Sequence, residues 1–394
     1  MDHVAEILLQ LFVLLLAAKI GDEVFKRLGQ PTVIGEILAG LVVGPALLGW
    51  YQINDETALF AEIGVVLLLF QVGVETRFGE ILRVGTIALA VGGLGVVLPF
   101  AGGFGVGLLF GYPLEVNIFL AAALVATSVG ITSRVLGGLG ALRTLAGRVI
   151  LGAAIIDDVL AMLILAVATG LAAGGVSVER IATLLVLAVA FIAIVLVGGT
   201  GILRRRRALL TDPEFAETPF LPGMIIMLGL AALAAFIGLA AIIGAFLAGM
   251  VVGESSERSA LEEEVAPVAA FFTPFFFGSI GAQVELAGLV EPQSLLLLGV
   301  VTVVAVLTKF AGALVGALRL GLARASLVGW GMVPRGEVGI VVAGLGLQLG
   351  AIQGPVYSVV VGMAVLTTLL VPPFLPWLVA RAERAHPEAH AARE

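Results

Sequence analysis

Two adjacent carboxylates, Asp157 and Asp158, lie inside the apolar run GRVILGAAIIDDVLAMLILAVATG, with no other charged residue between Arg148 and Glu179. A charge at the centre of a bilayer costs about 2.5–3.5 kcal/mol on insertion scales, and residues that bear this cost mark ion or proton pathways. Carboxylate oxygens suit hard cations, and a proton and a cation compete for the same oxygens. Neighbouring helical residues point about 100° apart, so the two acids cannot face the same way and two roles are expected. The bland alternative is one structural salt-bridge partner and one acid facing an aqueous vestibule.

Lys309 stands in LLLLGVVTVVAVLTKFAGALVGAL and is the only lysine after Lys26. With no interface in snorkelling reach, it reads as the partner of a carboxylate, able to release or take up a proton when a cation arrives, rather than as a pin for its helix. Thr127 and Ser128 in AAALVATSVGITSRVLGGLG could donate oxygens to a bare cation or cap a half-helix, and the spacing leaves both open. Arg335 and Glu337 flank Gly336 in VGWGMVPRGEVGIVVAGLG and read as charges that neutralise half-helix dipoles and each other. Glu36 and Gln71 suit packing or gating, and Glu75 a helix end. His3, His386 and His390 lie in polar ends without ligand spacing. With no cysteine, thiolate metal sites, disulfides and cysteine nucleophiles are excluded. Gly103-x-Gly105-x-Gly107 follows no strand and suits close helix packing better than a nucleotide loop.

These residues need a membrane scaffold to position them. The chain is 60% hydrophobic and 12% charged, with mean hydropathy +1.16 and 52 glycines. Apolar runs of about 18 or more residues recur from end to end, which excludes a soluble domain and indicates a polytopic α-helical membrane protein. The pattern predicts about thirteen spans, near 4–20, 32–49, 58–74, 85–110, 115–137, 147–171, 180–202, 221–238, 240–253, 264–282, 294–319, 325–348 and 356–380. The division at 238/240 needs a tight Gly-rich turn. Of the 21 Lys and Arg residues, Lys309 and Arg335 fall inside spans, and all the others except Arg180 fall on one side. That asymmetry puts the N-terminus outside and the C-terminus in the cytoplasm. Arg204 to Arg207 read as a topology anchor against anionic headgroups. The first run lacks a basic n-region and a cleavage signature, so it is expected to be a retained helix. The net charge of −7 says little about partners, because placement of basic residues matters more than their sum.

A motif recurs at an offset of 209 residues: Ile34-Gly35-x-x-Leu38-Ala39-Gly40-x-Val42-Val43-Gly44 returns as Ile243-Gly244-x-x-Leu247-Ala248-Gly249-x-Val251-Val252-Gly253. Val129-Gly130-Ile131 likewise matches Val338-Gly339-Ile340, and Phe70 to Glu75 loosely echoes Phe277 to Glu285. Each span pairs with the one seven later, and an odd number makes the copies cross in opposite directions, the inverted repeat of secondary transporters. The fifth span, interrupted by Thr127, Ser128 and Gly130, and the twelfth, interrupted by Pro334 and Gly336, are expected to be broken helices whose unwound carbonyls and half-helix ends can serve ions.

IGEILAGLVVGP, ATSVGIT, AIIDDVL and PRGEVG, spread over nearly the whole chain, resemble the signatures of the bacterial monovalent cation:proton antiporters, in particular NapA-type sodium/proton antiporters. The resemblance implies an all-α membrane fold with about thirteen transmembrane helices, an inverted-topology repeat and two crossed discontinuous helices. It implies a dimerisation domain of residues 1–84 and 221–293, a core transport domain of 85–172 and 294–381, a linker of 173–220 and a cytoplasmic tail of 382–394. A homodimer in the cell inner membrane, working by an elevator-like movement, would follow. Asp158 would be the principal carboxylate for Na+ and protons, and Asp157 the acid paired with Lys309, both counted as Na+ ligands. Thr127 and Ser128 would line the site, with Arg335 and Glu337 bracing the crossing. An Asp-Asp pair with a lysine goes with electrogenic exchange in that family. Neither enzymatic activity nor a cofactor or nucleic-acid partner is implied; protons and a monovalent cation, Na+ with Li+ or K+ as alternatives, would be cargo, and membrane lipids the surroundings. The end at Glu394 leaves no room for a soluble nucleotide-binding regulatory domain. Other classes predict other signs: a cation channel would lack obligatory counter-transport, an organic-anion symporter would need a roomy cavity, and an intramembrane aspartyl protease would need acids from separate helices.

Overall fold

The computed structural model describes residues 3–76, 78–172, 178–199, 218–255, 258–284, 289 and 291–384. Arg77, Arg204 to Arg207, Glu285, His386 and His390 lie outside that set, as do the side chains of Arg83, Arg180 and Glu337. Backbone at membrane depth must satisfy its own hydrogen bonds, and among the described residues every regular element is helical.

The elements are α1 (His3–Arg27), α2 (Thr32–Val43), α3 (Asp55–Glu75), α4 (Phe78–Leu109), α5 (Leu114–Val125), α6 (Val129–Gly138), α7 (Leu145–Ala172) and α8 (Val178–Ala193). They continue as α9 (Phe220–Phe236), α10 (Ala241–Gly253), α11 (Arg258–Ala282), α12 (Pro292–Gly316), α13 (Leu322–Gly331), α14 (Glu337–Gln348), α15 (Gly354–Leu370) and α16 (Leu375–Arg384). Among the described residues, seven stretches are long and apolar enough to cross a membrane, or eight if the bent pair α15–α16 counts as one; one of the seven is α5 and α6 taken together. The chain is a multi-pass membrane protein.

Local chemistry sets the ends. Asn54 caps α3: its Oδ1 accepts from Thr57 N at 2.9 Å while Thr57 Oγ1 accepts from Asn54 N at 3.0 Å, satisfying two orphan donors at once. The second predicted span, 32–49, ends as helix at Val43, because Pro45 disfavours helical backbone at the residue before it. The chain turns at Gly238, whose φ of 88° suits glycine, and α10 starts at Ala241. The last predicted span, 356–380, is not one helix: Pro372 and Pro373 remove two amide donors, and α15 and α16 meet at a 46° bend.

The chain divides into two compact units. The first comprises Met1–Ile20, Glu36–Arg83 and Ser177–Ala282. Within it α3 packs along α10 and α11, and α9 packs on α10. Helix α10, only 13 residues and about 20 Å long, is buried along its whole length, so protein rather than lipid surrounds it. Small residues make this possible: a methyl group on Gly249 would run into the Phe70 carbonyl of α3, and one on Gly40 into the Gly278 carbonyl of α11. Such backbone contact supplies packing where lipid gives no hydrophobic drive.

The second unit comprises Gly21–Gly35, Val84–Val176 and Gln283–Glu394. Here α12 packs on α13 and α15, α5 on α7 and α14, and α13 on α16. Phe119, Leu124, Val301, Val342 and Met363 belong to its buried apolar core.

Candidate functional site

Both predicted helix breaks lie in the second unit. Helix α5 stops at Val125; Ala126 takes extended angles (φ −61°, ψ 138°), and α6 resumes at Val129 after Ser128 (φ −83°, ψ 98°). Helix α13 stops at Gly331 and α14 begins at Glu337, with Pro334 in the gap. Each break leaves backbone groups without helical partners, and the two supply each other. Ser128 N donates to Pro334 O at 2.8 Å. Thr127 Oγ1 donates to Met332 O at 3.3 Å, and Thr132 Oγ1 to Gly331 O at 2.6 Å. Thr127 and Ser128 therefore stand at the breaks, and the Thr127 hydroxyl is engaged in joining them.

The charges gather at the end of α5. Lys309 Nζ, carried by α12, is 2.6 Å from Asp157 Oδ1 on α7, with both side chains at 0% exposure. The same ammonium donates to Val125 O at 2.7 Å. Arg335 is also fully buried; its Nη1 donates to Val125 O at 3.2 Å and Ala126 O at 3.1 Å, and its Nη2 to Ala305 O at 3.2 Å. One carbonyl thus receives two cationic side chains, where orphan C=O groups and the helix dipole concentrate negative charge. Asp158, at 4% exposure, is almost as buried as its neighbour. Among the described residues, Asp157 Oδ2 and Arg335 Nε have no hydrogen-bond partner.

The described contacts of the Arg335 guanidinium are the carbonyls of Val125, Ala126 and Ala305; the side chain of Glu337, its expected partner, lies outside the described residues, and its backbone starts α14. Glu36, in the first unit, is buried at the start of α2. Sequence reasoning passed over Thr367 and Thr368 on α15, both fully buried, whose hydroxyls bond the Arg335 peptide. Two adjacent hydroxyls in the apolar VLTTLL were the available signal. A cavity of about 440 Å³ adjoins the end of α6 at Arg134, Gly138 and Leu139; another of about 400 Å³ adjoins the start of α5 and the end of α14, at Glu115 and Gln353.

A family model described as sodium/hydrogen exchanger, transmembrane, matches residues 11–381. The chain is 35% identical over 383 residues to the Na+/H+–K+ antiporter GerN of Bacillus cereus, covering 96% of this chain and 98% of that protein. It is 32% identical over 432 residues to the high-affinity Na+/H+ antiporter NhaS3 of Synechocystis, covering 98% and 91%. Its fold is similar to that of the sodium proton antiporter MjNhaP1 from Methanocaldococcus jannaschii, with a TM-score of 0.76 at 16% identity over 98% of this chain and 99% of that one.

Proposed function

Because the chain belongs to the sodium/hydrogen exchanger family of monovalent cation:proton antiporters, we propose that it exchanges cytoplasmic Na+ for external protons across the cell inner membrane. The observation that carries this reading is the sealed Asp157–Lys309 pair directly beside Asp158, at the level where α5 stops. Asp158 is the carboxylate that holds either Na+ or a proton, with oxygens from the Thr127–Ser128 break completing the ion's shell. Asp157 binds Na+ only when it lets go of Lys309. Sodium arrival therefore displaces a proton from the Asp158 carboxyl and another from the lysine, and the exchange carries net charge. Arg335 and Glu337 brace the two breaks, which cross within an inverted repeat of about thirteen spans.

Alternating access follows from moving the second unit as a carrier, with the first as a scaffold that pairs with a second copy of the chain. The division into two compact units and the presence of both breaks in one of them support this assignment. The distribution of Lys and Arg supports an external N-terminus and a cytoplasmic C-terminus.

Purified protein in acid-loaded liposomes with a trapped pH dye tests the exchange. A pulse of external Na+ should alkalinise the lumen and, with the voltage unclamped, build a membrane potential. No proton movement with Na+, Li+ or K+ would overturn the reading. The K+ in the name of the Bacillus cereus relative favours one variant of it, in which K+ also enters the site; a K+ pulse that moves protons as fast as Na+ would establish that variant.

A further inference from the structure

The exchange reading leaves the last helices without a task, yet α15 makes the most direct grip on the second break. Arg335 N donates to Thr367 Oγ1 at 3.2 Å, and Thr368 Oγ1 donates to Arg335 O at 2.6 Å. Both hydroxyls are fully buried, and Thr367 Oγ1 also donates back to Met363 O at 2.9 Å and Ala364 O at 3.0 Å on its own helix. The Arg335 amide and carbonyl both lie in a gap where no helical partner exists. Consecutive threonines on one helix hold the two polar groups of that residue from α15.

The grip transmits to the ion pair through direct contacts. The peptide held by Thr367 and Thr368 carries the guanidinium that binds Val125 O, and Val125 O is the acceptor of Lys309 Nζ. At the offset of 209 residues that superposes the repeated motif, Asp158 falls on Thr367. Where the first half carries a carboxylate, the second carries a hydroxyl spent on backbone.

We propose that Thr367 and Thr368 are positioning residues for cation binding: they fix the Arg335 peptide, and through its guanidinium the Val125 carbonyl and the Lys309 ammonium. This rests on the exchange reading. Losing the Thr368 hydroxyl leaves a buried carbonyl unpaired, which is enough to weaken a positioned site by about tenfold.

The test is the Na+ dependence of proton flux in proteoliposomes for wild type, Thr368→Val, Thr368→Ser and Thr367→Val at matched protein content. Thr368→Val should raise the apparent KM for Na+ by about tenfold, Thr368→Ser should stay within about twofold of wild type, and Thr367→Val should fall between them because, of the two bonds to the Arg335 peptide, it removes the longer one. A wild-type KM in Thr368→Val, with any loss confined to maximal rate, overturns the inference, as does Thr368→Ser behaving like Thr368→Val. If Thr368→Val does not insert, a wild-type KM in Thr367→Val overturns it equally. A silent wild-type protein would instead sink the exchange reading itself.

Discussion

Lys309 Nζ and Asp157 Oδ1 stand 2.6 Å apart with both side chains sealed from solvent. Removing one member strands the other as a buried charge, a change that typically costs about 3–5 kcal/mol. Lys309→Gln should therefore lower the melting temperature in detergent markedly, and Lys309→Gln combined with Asp157→Asn should recover most of the loss. Equal melting of the single and double variants would show that the pair is not coupled.

The same lysine is the proposed carrier of the second proton. Lys309→Gln protein that still exchanges should move no net charge, read as absence of a Na+-induced potential in liposomes. A wild-type potential in that variant removes the lysine from the charge balance.

The described ion pair of Lys309 is with Asp157, and Asp158 is the next residue on α7. Asp158→Asn should abolish Na+-dependent proton flux while melting within a few degrees of wild type, because the substitution keeps shape and leaves the neighbouring pair intact. Retained flux would move the cation site elsewhere.

Arg335 reaches three carbonyls from two nitrogens of one planar fork. A lysine there has one compact ammonium and cannot reproduce that spread. Arg335→Lys should cost about 1–3 kcal/mol of stability, the penalty of orphaned buried acceptors. Differential scanning fluorimetry checks this, and an unchanged melting temperature would refute the bracing role.

In the first unit, Gly249→Ala should destabilise, since its methyl meets the Phe70 carbonyl. Gly93→Ala, on α4, meets nothing within 4 Å and should be neutral or mildly stabilising, by up to about 1 kcal/mol from helix propensity. Parallel thermal melts separate the two.

Much of this was legible in the sequence because burying charge in an apolar run is costly enough to stand out. Asp157, Asp158 and Lys309 announced themselves in that way, and Thr127, Ser128 and Pro334 marked the breaks through their effect on backbone hydrogen bonding. What stayed hidden were contacts made by carbonyls. Every residue carries one, so nothing in the letters distinguishes Val125, Ala126 or Ala305 as acceptors for Arg335. Thr367 and Thr368 stand out as a pair in the letters but carry no assignment there: a hydroxyl in an apolar helix can bond its own backbone, and only the fold shows that these also reach Arg335. The bend before α16 is written in the letters as Pro372-Pro373, yet the apolar run continues on both sides of the prolines, so hydropathy alone marks one straight span there.

Gly40 and Gly249 occupy the same place in the two copies of the repeated motif, and each abuts a carbonyl of another helix. The likeness between the copies thus preserves a steric fit, while charge has been free to diverge: Glu36 is matched by Ala245, and Asp158 by Thr367. The chain thus repeats its joinery without repeating its acids: what the two copies share is how closely their backbones approach their neighbours, and each of these two carboxylates belongs to one copy alone.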